Sequence, residues 1–480
     1  MLFNSLDFAI FLPIVFFLYW FIASKNLKLQ NLLVAISSYF FYGWWDWRFL
    51  SLILFSTLID YSIGLSLSNY KSDRARKVLV WISIIVNLGF LGFFKYYNFF
   101  LDNFVSAFSF FGMAINANSL NIILPVGISF YTFQTLSYSI DVYKRKLEPT
   151  KDFVAFAAFV SFFPQLVAGP IERASNLLPQ FYAKRKFDYV KAADGMRQIL
   201  WGLFKKVVIA DNCAQYANII FDNSESQSGS TLILGAIFFA FQIYGDFSGY
   251  SDIAIGTARL FGFDLMKNFA FPYFSRDMAE FWRRWHISLS TWFRDYLYIP
   301  LGGSRGGTWM KIRNTFIIFI VSGFWHGANW TFVVWGALNA LYFLPIMLLG
   351  RNRNNINYIP INGLKEKFIE FLNILTTFSL TLLAWVFFRA KSLDHAISYI
   401  RGIFSESIFT KPEVFPSITL IMILIFISIE WIQKNKEHGL DLSTSKKFIT
   451  KPIRWLIYTV LIILIFTFGG SQQQFIYFQF

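Results

Sequence analysis

Long apolar runs recur from one end of the chain to the other, and they restrict its possible folds. A run of about 17–25 apolar residues can cross the hydrocarbon core of a bilayer as one helix. Runs of roughly this length occupy residues 8–23, 31–46, 49–68, 78–98, 121–140, 152–169, 198–218, 230–250, 313–331, 332–349, 370–390, 416–432 and 453–470. Charged residues make up 15% of the sequence, well below the roughly 25% of soluble proteins. The sequence therefore predicts a polytopic membrane protein.

The spanning elements are predicted to be helices, because lipid forces each backbone polar group to be satisfied within its own segment. The alternating polar and apolar residues of a membrane β-barrel are not seen. We expect an all-α protein with about 11–13 transmembrane or re-entrant helices. The longest polar stretches, about 20–30 residues, are too short to bury a separate core. Residues 1–480 are therefore predicted to form one transmembrane domain, with its functional centre at about 120–340.

The formal net charge of +15 would suggest nucleic-acid binding in a soluble protein. Here Lys and Arg gather in alternate loops, which is the distribution expected of cytoplasmic loops. The positive charge is thus explained by membrane topology, and no nucleic-acid partner is expected. If the run near 152–169 enters the membrane and returns, both termini are extracytoplasmic. The single cysteine, Cys213, excludes an intramolecular disulfide and argues against a thiolate metal site. No metal is expected.

A histidine lies inside one of the apolar runs, where ionisable residues usually have a function. His326 and Asn329 are three residues apart, so an unbroken helix would place them on one face. Gly323 and Gly327 would let a neighbouring backbone approach closely. Burial favours the neutral imidazole, which is the form that a general base requires. A hydrogen-bonded histidine with a purely structural role is the alternative.

Aromatic and basic residues alternate just before this run. The residues concerned are Trp282, Arg283, Arg284, Trp285, Trp292 and Arg294. An amphipathic helix at the membrane interface would explain most of the segment. Such a helix would not explain why so many cations lie close together. A bound anionic group, such as a coenzyme phosphate, would explain it. Within the segment, His286 and Ser290 are predicted to share a helix face.

Two carboxylates and two hydroxyls, those of Ser248 and Ser251, follow another apolar run. Asp246, Ser248 and Asp252 accompany Gly245 and Gly249, and the glycines are spaced for close helix packing. Ser248 and Asp252 are four apart and would share a face. Helix–helix hydrogen bonding, or pairing with the arginines described above, is the alternative to a direct role.

Pro164, Gly169 and Pro170 cannot lie in one unbroken helix. Broken backbone at membrane depth must be buried in protein or line a cavity. We therefore predict a re-entrant segment, with a simple helix end as the alternative. The two other histidines, His395 and His438, are expected to be ordinary surface residues in loops.

These segments resemble the motifs of the membrane-bound O-acyltransferase (MBOAT) family. The resemblance is to the bacterial branch that acetylates alginate and peptidoglycan, and it rests on FPQLVAGPIER (163–173), YGDFSGYSD (244–252), FWRRWHISLSTWFRDYLYIPLGG (281–303) and GFWHGANW (323–330). It implies a ring of tilted helices around a central tunnel. It also implies that His326 is the catalytic base and His286 a second, supporting histidine.

The same resemblance implies roles for further residues. The tunnel residues would include Trp325, Asn329, Asp246, Ser248 and Asp252, and Arg283, Arg284 and Arg294 would bind the donor. An acetyl group would pass from cytoplasmic acetyl-CoA, a substrate rather than a bound cofactor, to a hydroxyl of a cell-surface polysaccharide. An extracytoplasmic acetyltransferase partner would complete the transfer from the bacterial cytoplasmic membrane.

The last residues, FIYFQF (475–480), resemble the C-terminal motif of a small membrane peptide that works with D-alanylating members of the family. We hypothesise that Tyr477 carries the acyl group as a relay. An aromatic tail lying at the membrane interface is the alternative.

Two other functions are compatible with the sequence. One is D-alanyl transfer to teichoic acid. The other is a non-enzymatic transporter or flippase, with Asp246 and Asp252 on the pathway. Transporters often consist of two similar halves, and none are evident here. A loss of activity on His326→Ala with unchanged folding would favour the enzyme.

Overall fold

The computed structural model describes residues 1–113, 115, 117–356, 363–442, 450–470 and 473–476, among which no β-strand occurs. The α-helices of these residues are α1 (Leu6–Phe17), α2 (Leu27–Gly43), α3 (Leu50–Asn69), α4 (Asp73–Leu91), α5 (Tyr97–Phe110), α6 (Ile128–Tyr143), α7 (Phe153–Ser161), α8 (Ala174–Leu177), α9 (Tyr189–Leu203), α10 (Asp211–Asp222), α11 (Gly229–Leu260), α12 (Met278–Arg284), α13 (Ile287–Phe293), α14 (Gly307–His326), α15 (Trp330–Leu348), α16 (Leu364–Arg389), α17 (Leu393–Ile403), α18 (Ser417–Gln433) and α19 (Lys451–Phe468). Wider π-helical turns occupy Leu18–Ile22, Gly92–Tyr96, Phe204–Ala210 and Arg294–Tyr298.

Within these ranges, 6 helical stretches are long and apolar enough to cross a membrane, and two shorter apolar helices accompany them. The 6 stretches are Trp47–Asn69, Asp73–Phe110, Gly229–Leu260, Trp330–Leu348, Leu364–Arg389 and Lys451–Phe468. The prediction of an all-helical, multi-pass membrane protein is confirmed. The count of 11–13 helices, the ring arrangement and the orientation of the termini stay predictions.

The chain groups into two compact units. The first comprises Met1–Gly195 and Ala254–Met266, and the second comprises Met196–Ile253 and Lys267–Phe480. The single-domain prediction for 1–480 is not tested by this grouping and stays a prediction.

The first unit is held together in part by a buried polar network between its apolar helices. Asp60 of α3 is fully buried and accepts hydrogen bonds from Ser83 of α4, from Ser139 of α6 and from the amide of Asn87. Buried carboxyl groups need such partners, because an unsatisfied one would cost several kcal/mol. The network therefore fixes how α3, α4 and α6 pack.

The predicted break in the helical backbone is confirmed in the same unit, and the re-entrant course of this segment stays a prediction. After α7 ends at Ser161, residues 162–173 form turns rather than a helix, and residues 162–172 are buried. Gly169 packs against the backbone of Gln165, where a Cβ would lie 2.6 Å from its Cα. Broken backbone at this place is thus enclosed in protein, as lipid would require.

The second unit contains the histidines, and its helices α14 and α15 form a closely packed hairpin. A Cβ at Gly323 would overlap the carbonyl oxygen of Phe332, and one at Gly336 would overlap that of Phe319. The glycines therefore permit direct backbone contact, as predicted for Gly323. This contact fixes the end of α14, where His326 lies.

Candidate active site

His326 is the last residue of α14. The helix ends there because Gly327 is extended (φ −162°, ψ 152°), and the next helix, α15, begins at Trp330. Asn329 caps α15 by accepting a hydrogen bond from the backbone N–H of Thr331 at 2.9 Å. The prediction that His326 and Asn329 share one helix face is therefore wrong. The Gly-Ala-Asn turn separates the two helices, and local spacing on an ideal helix could not reveal it.

Aromatic rings enclose the His326 imidazole, which is only 3% exposed. Its ring centroid lies 4.9 Å from that of Trp325, 5.2 Å from Trp335 and 5.3 Å from Phe388. Trp335 comes from α15 and Phe388 from α16, so three helices build this wall. Neither Trp335 nor Phe388 was predicted, since nothing in an apolar helix marks which aromatic residue faces a histidine.

His286 lies in a strained turn between two short helices. Its backbone is left-handed (φ 42°, ψ 55°), a conformation that costs a residue with a side chain about 1–3 kcal/mol and concentrates at functional sites. Hydrogen bonds of 2.9 Å from Ile287 N to Asn268 O and from Ala270 N to Arg284 O hold the turn in place. Because His286 precedes α13, its predicted helix face with Ser290 is not formed. Ser290 instead donates to the Trp285 carbonyl at 3.4 Å.

Asn268, which the sequence did not single out, orients the His286 ring. Its Oδ1 lies 3.1 Å from His286 Nδ1 and accepts a hydrogen bond from Ser288 Oγ at 2.8 Å. Its Nδ2 donates to Ser251 Oγ at 3.0 Å, which fixes the orientation of the amide. His286 therefore carries its proton on Nδ1 and its lone pair on Nε2. Burial lowers the pKa of His286 well below its usual value, so the ring stays neutral.

The structure brings the two predicted histidines together. The ring centroids of His286 and His326 are 6.5 Å apart, and Trp325 lies beside both. Both side chains are buried in one predominantly aromatic environment. In such a place a neutral imidazole can accept a proton without first losing a hydration shell.

A basic cavity of about 500 Å³ lies next to this pair. Four cationic side chains and no carboxylate line it among the described residues: Arg283, Arg294, Lys311 and Arg353. Its wall also includes Ser322, one helical turn before His326, and Trp282. The Trp282 ring lies 5.7 Å from that of Trp335, which in turn contacts His326. The cavity therefore combines a positive lining with an inner wall that contacts the histidine site.

The three predicted arginines occupy different environments. Arg283 and Arg294 line the cavity, and Arg283 also donates to the backbone carbonyls of Asn352 and Asn355. Arg284 is not part of this lining and forms an ion pair of 2.6 Å with Glu280. The segment predicted as one amphipathic helix is divided into α12, α13 and a π-helical turn. Arg283 and Arg284 are consecutive residues of α12, so they point in different directions from that helix.

The acidic residues of α11 pair with lysines rather than with the arginines. Asp252 binds Lys205 at 2.6 Å, and Ser248 accepts from the same ammonium at 2.9 Å. Asp246 binds Lys206 at 2.7 Å. The shared face of Ser248 and Asp252 is thus confirmed, whereas the alternative pairing with arginines is not observed for these carboxylates.

Close packing of α11 explains these short ion pairs. A Cβ at Gly245 would lie 2.9 Å from Lys205 O, and one at Gly249 would lie 2.7 Å from Gly202 O. The two glycines therefore let α11 pack closely against the segment that contains Gly202 and Lys205. Their spacing predicted such close packing.

Three remaining predictions concern other parts of the chain. Tyr477 lies outside the described residues. His395 belongs to α17 and is half-buried, whereas His438 lies in a turn and is 2% exposed. The prediction that both are surface loop residues is therefore wrong. A short polar segment between helices can still fold onto protein, which composition does not show.

The profile of the membrane-bound O-acyltransferase family matches residues 148–387, half of the chain. The chain belongs to the MBOAT family. It is an O-acyltransferase, and the matched range contains His286, His326, the basic cavity and the acidic residues of α11.

Curated relatives extend the match over the rest of the chain. The probable alginate O-acetylase AlgI of Pseudomonas aeruginosa is 41% identical over 408 residues, which cover 84% of this chain and 75% of that protein. The peptidoglycan O-acetyltransferase of Helicobacter pylori is 33% identical, with 100% of this chain and 98% of that protein covered. The teichoic acid D-alanyltransferase of Bacillus subtilis is 26% identical over 57% of this chain.

Proposed function

We propose that this MBOAT protein transfers an acetyl group from cytoplasmic acetyl-CoA to a hydroxyl of a cell-surface polysaccharide, with His326 as the base. The observation that carries the proposal is the position of the basic cavity beside the histidine pair, to which Trp282 of its wall connects through Trp335. Relatives named as alginate and peptidoglycan O-acetylating enzymes support the acetyl group and the class of acceptor.

The cavity lining supports a coenzyme A thioester as the donor. Coenzyme A carries several phosphate charges, which guanidinium and ammonium groups bind well. Arg283, Arg294 and Arg353 could bind these phosphates, while the thioester end would extend along Ser322 towards His326. A neutral or cationic substrate would not benefit from a lining with four cationic side chains and no carboxylate. Arg294 also pairs with Asp295 at 2.7 Å, so a phosphate would share that guanidinium.

The proposed reaction balances within this site. His326 removes the proton from the acceptor hydroxyl, and the hydroxyl oxygen bonds to the thioester carbonyl carbon. The carbon–sulfur bond then breaks, and the leaving thiolate takes the proton from the His326 imidazolium. The lone pair on Nε2 of His286 could accept a hydrogen bond that orients the acceptor, which is the supporting role proposed for this residue.

The cellular setting is also part of the proposal. We place the protein in a bacterial cytoplasmic membrane with both termini extracytoplasmic, because Lys and Arg concentrate in alternate loops. Tyr477 would be the last residue of this chain to carry the acetyl group. An extracytoplasmic acetyltransferase would then receive the acetyl group from Tyr477. Unchanged acceptor acetylation by a Tyr477→Phe variant would remove the relay from the scheme.

Purified protein in lipid nanodiscs, given radiolabelled acetyl-CoA, tests the proposal. His326→Ala should lower CoA release or acetyl transfer by at least about 100-fold, the usual contribution of a general base. His395→Ala is the matched control, because it removes a half-buried histidine from α17, outside the site. It should retain wild-type turnover.

Each outcome has a distinct meaning. Equal turnover by wild type and His326→Ala would exclude His326 as the base. Turnover with D-alanyl donors but not acetyl-CoA would favour D-alanyl transfer, which the teichoic acid relatives represent at lower identity.

A further inference from the structure

The described C-terminal residues 473–476 are inserted among the helices of the second unit. Phe475 is 1% exposed and Ile476 is 0% exposed. The Phe475 ring lies 4.3 Å from that of Tyr250 and 6.3 Å from that of Phe247, both on α11. An irregular segment stays buried only where contacts satisfy its backbone groups.

A buried ion cluster supplies those contacts. Lys206, in the π-helical turn Phe204–Ala210, binds Asp246 of α11 at 2.7 Å and Asp211 of α10 at 2.8 Å. Its ammonium also donates to the carbonyl oxygen of Gln473 at 3.2 Å. The three donors of the ammonium thus have three acceptors, one of which belongs to the C-terminal segment.

The carboxylates complete the connection. Asp246 Oδ2 accepts a hydrogen bond of 2.7 Å from the backbone N–H of Ile476. The backbone of Gln473 also interacts with Asp211. Two carboxylates facing one ammonium leave an excess of negative charge, and backbone N–H dipoles can partly compensate it in a low-dielectric interior. The charge balance of the cluster therefore favours a bound peptide backbone.

We propose that Lys206, Asp211 and Asp246 form a clamp that positions the C-terminal segment beside the histidine site. Phe475 contacts Phe247, and the Phe247 ring lies 4.6 Å from that of His286. One aromatic ring thus separates the clamped segment from a candidate site residue. These three residues are positioning residues, because they act through the backbone of residues 473–476. The clamp itself does not depend on the proposed acetyl transfer.

Thiol accessibility tests the clamp on the full-length chain. In a Cys213→Ala, Ile476→Cys background, the introduced thiol should react slowly with a maleimide. Asp246→Leu should accelerate labelling at least about tenfold, the factor expected for one lost charge-assisted hydrogen bond. Asp246→Leu leaves Lys206 paired with Asp211, so no unpaired charge remains. Asp211→Asn provides a second test of the same clamp.

Two controls separate clamping from general loosening. Asp252→Leu breaks the neighbouring Lys205 ion pair on the same helix and should leave the labelling rate unchanged. In chains without Ile476→Cys, the native Cys213 thiol, fully buried in the same unit, should stay unreactive in all variants. Unchanged labelling in both Asp246→Leu and Asp211→Asn would overturn the clamp. Equal acceleration by Asp252→Leu, or exposure of Cys213, would overturn it as well. None of these readouts requires enzymatic activity.

Discussion

Replacing Asn268 with leucine should impair catalysis through His286 without touching a reacting group. The fully buried amide makes three side-chain hydrogen bonds, to His286 Nδ1, Ser288 Oγ and Ser251 Oγ. At about 1 kcal/mol each, they bias the site by about 3 kcal/mol towards the observed His286 orientation. Leucine has a similar volume but neither accepts nor donates, so the ring should lose its orientation.

A bias of about 3 kcal/mol corresponds to roughly a 100-fold change in the population of the oriented ring. We therefore expect Asn268→Leu to lower acetyl-CoA turnover in nanodiscs by about 100-fold. Ser251→Ala is the graded control, because it removes one of the three bonds and leaves Oδ1 of Asn268 available to His286. Its loss should be about fivefold, matching about 1 kcal/mol.

The ratio between the two variants is the critical result. Turnover by Asn268→Leu within about threefold of Ser251→Ala would refute the argument that the amide acts by orienting His286. Thermal unfolding of both variants, followed by tryptophan fluorescence in detergent, shows whether a loss of folded protein accounts for the difference. A large turnover loss at an unchanged unfolding temperature would support the positioning role.

Three further results are expected. Gly323→Ala should destabilise the protein by about 1–3 kcal/mol in thermal unfolding, because its Cβ would overlap the Phe332 carbonyl. The control Gly89→Ala should leave the stability unchanged, because the space around Gly89 is open. Equal effects of the two substitutions would refute this packing argument. Arg283→Gln should raise the KM for acetyl-CoA more than it lowers kcat, and an unchanged KM would remove it from donor binding. Hydrogen bonds from neighbouring hydroxyls lower the pKa of Glu413 from 4.5 to about 2. The ionised carboxylate therefore stabilises the folded state above pH 4.5, and this stabilisation is lost as the pH falls towards 2. Over this pH range the unfolding temperature of Glu413→Gln should fall less than that of the wild type. The difference should be small because the carboxylate is exposed. Identical pH profiles of the two proteins would show that Glu413 does not contribute this stabilisation.

The class of fold could be predicted because it depends on quantities that a sequence displays directly. The length of the apolar runs and the scarcity of charge are sufficient to predict membrane-spanning helices. Pro164, Gly169 and Pro170 likewise predicted a break, since proline and glycine act on the local backbone. The same local reasoning failed at Gly327, where an extended glycine ends α14 and places Asn329 on the next helix.

The histidine pair was predicted from motifs, but its surroundings were not. Asn268 lies 18 residues before His286, in a stretch with no pattern that marks it. Trp335 and Phe388 come from two other helices and contact His326 only after those helices pack. A sequence can thus indicate which polar groups are costly to bury. It cannot indicate which distant residues surround them, because that is decided by tertiary packing.

The adjacent lysines of the π-helical turn show this limit most clearly. Lys205 binds Asp252 and Lys206 binds Asp246, although both carboxylates belong to one helix. Neither charge was predicted to pair this way, since both lysines lie within one apolar run. A π-helical turn widens the helix and changes the directions of successive side chains, and such turns are frequent at functional sites. Here the widened turn lets one lysine bind α11 alone while its neighbour also binds the C-terminal segment. The two adjacent lysines thus differ in their contacts: Lys205 pairs with α11, whereas Lys206 also binds Asp211 and the backbone of Gln473.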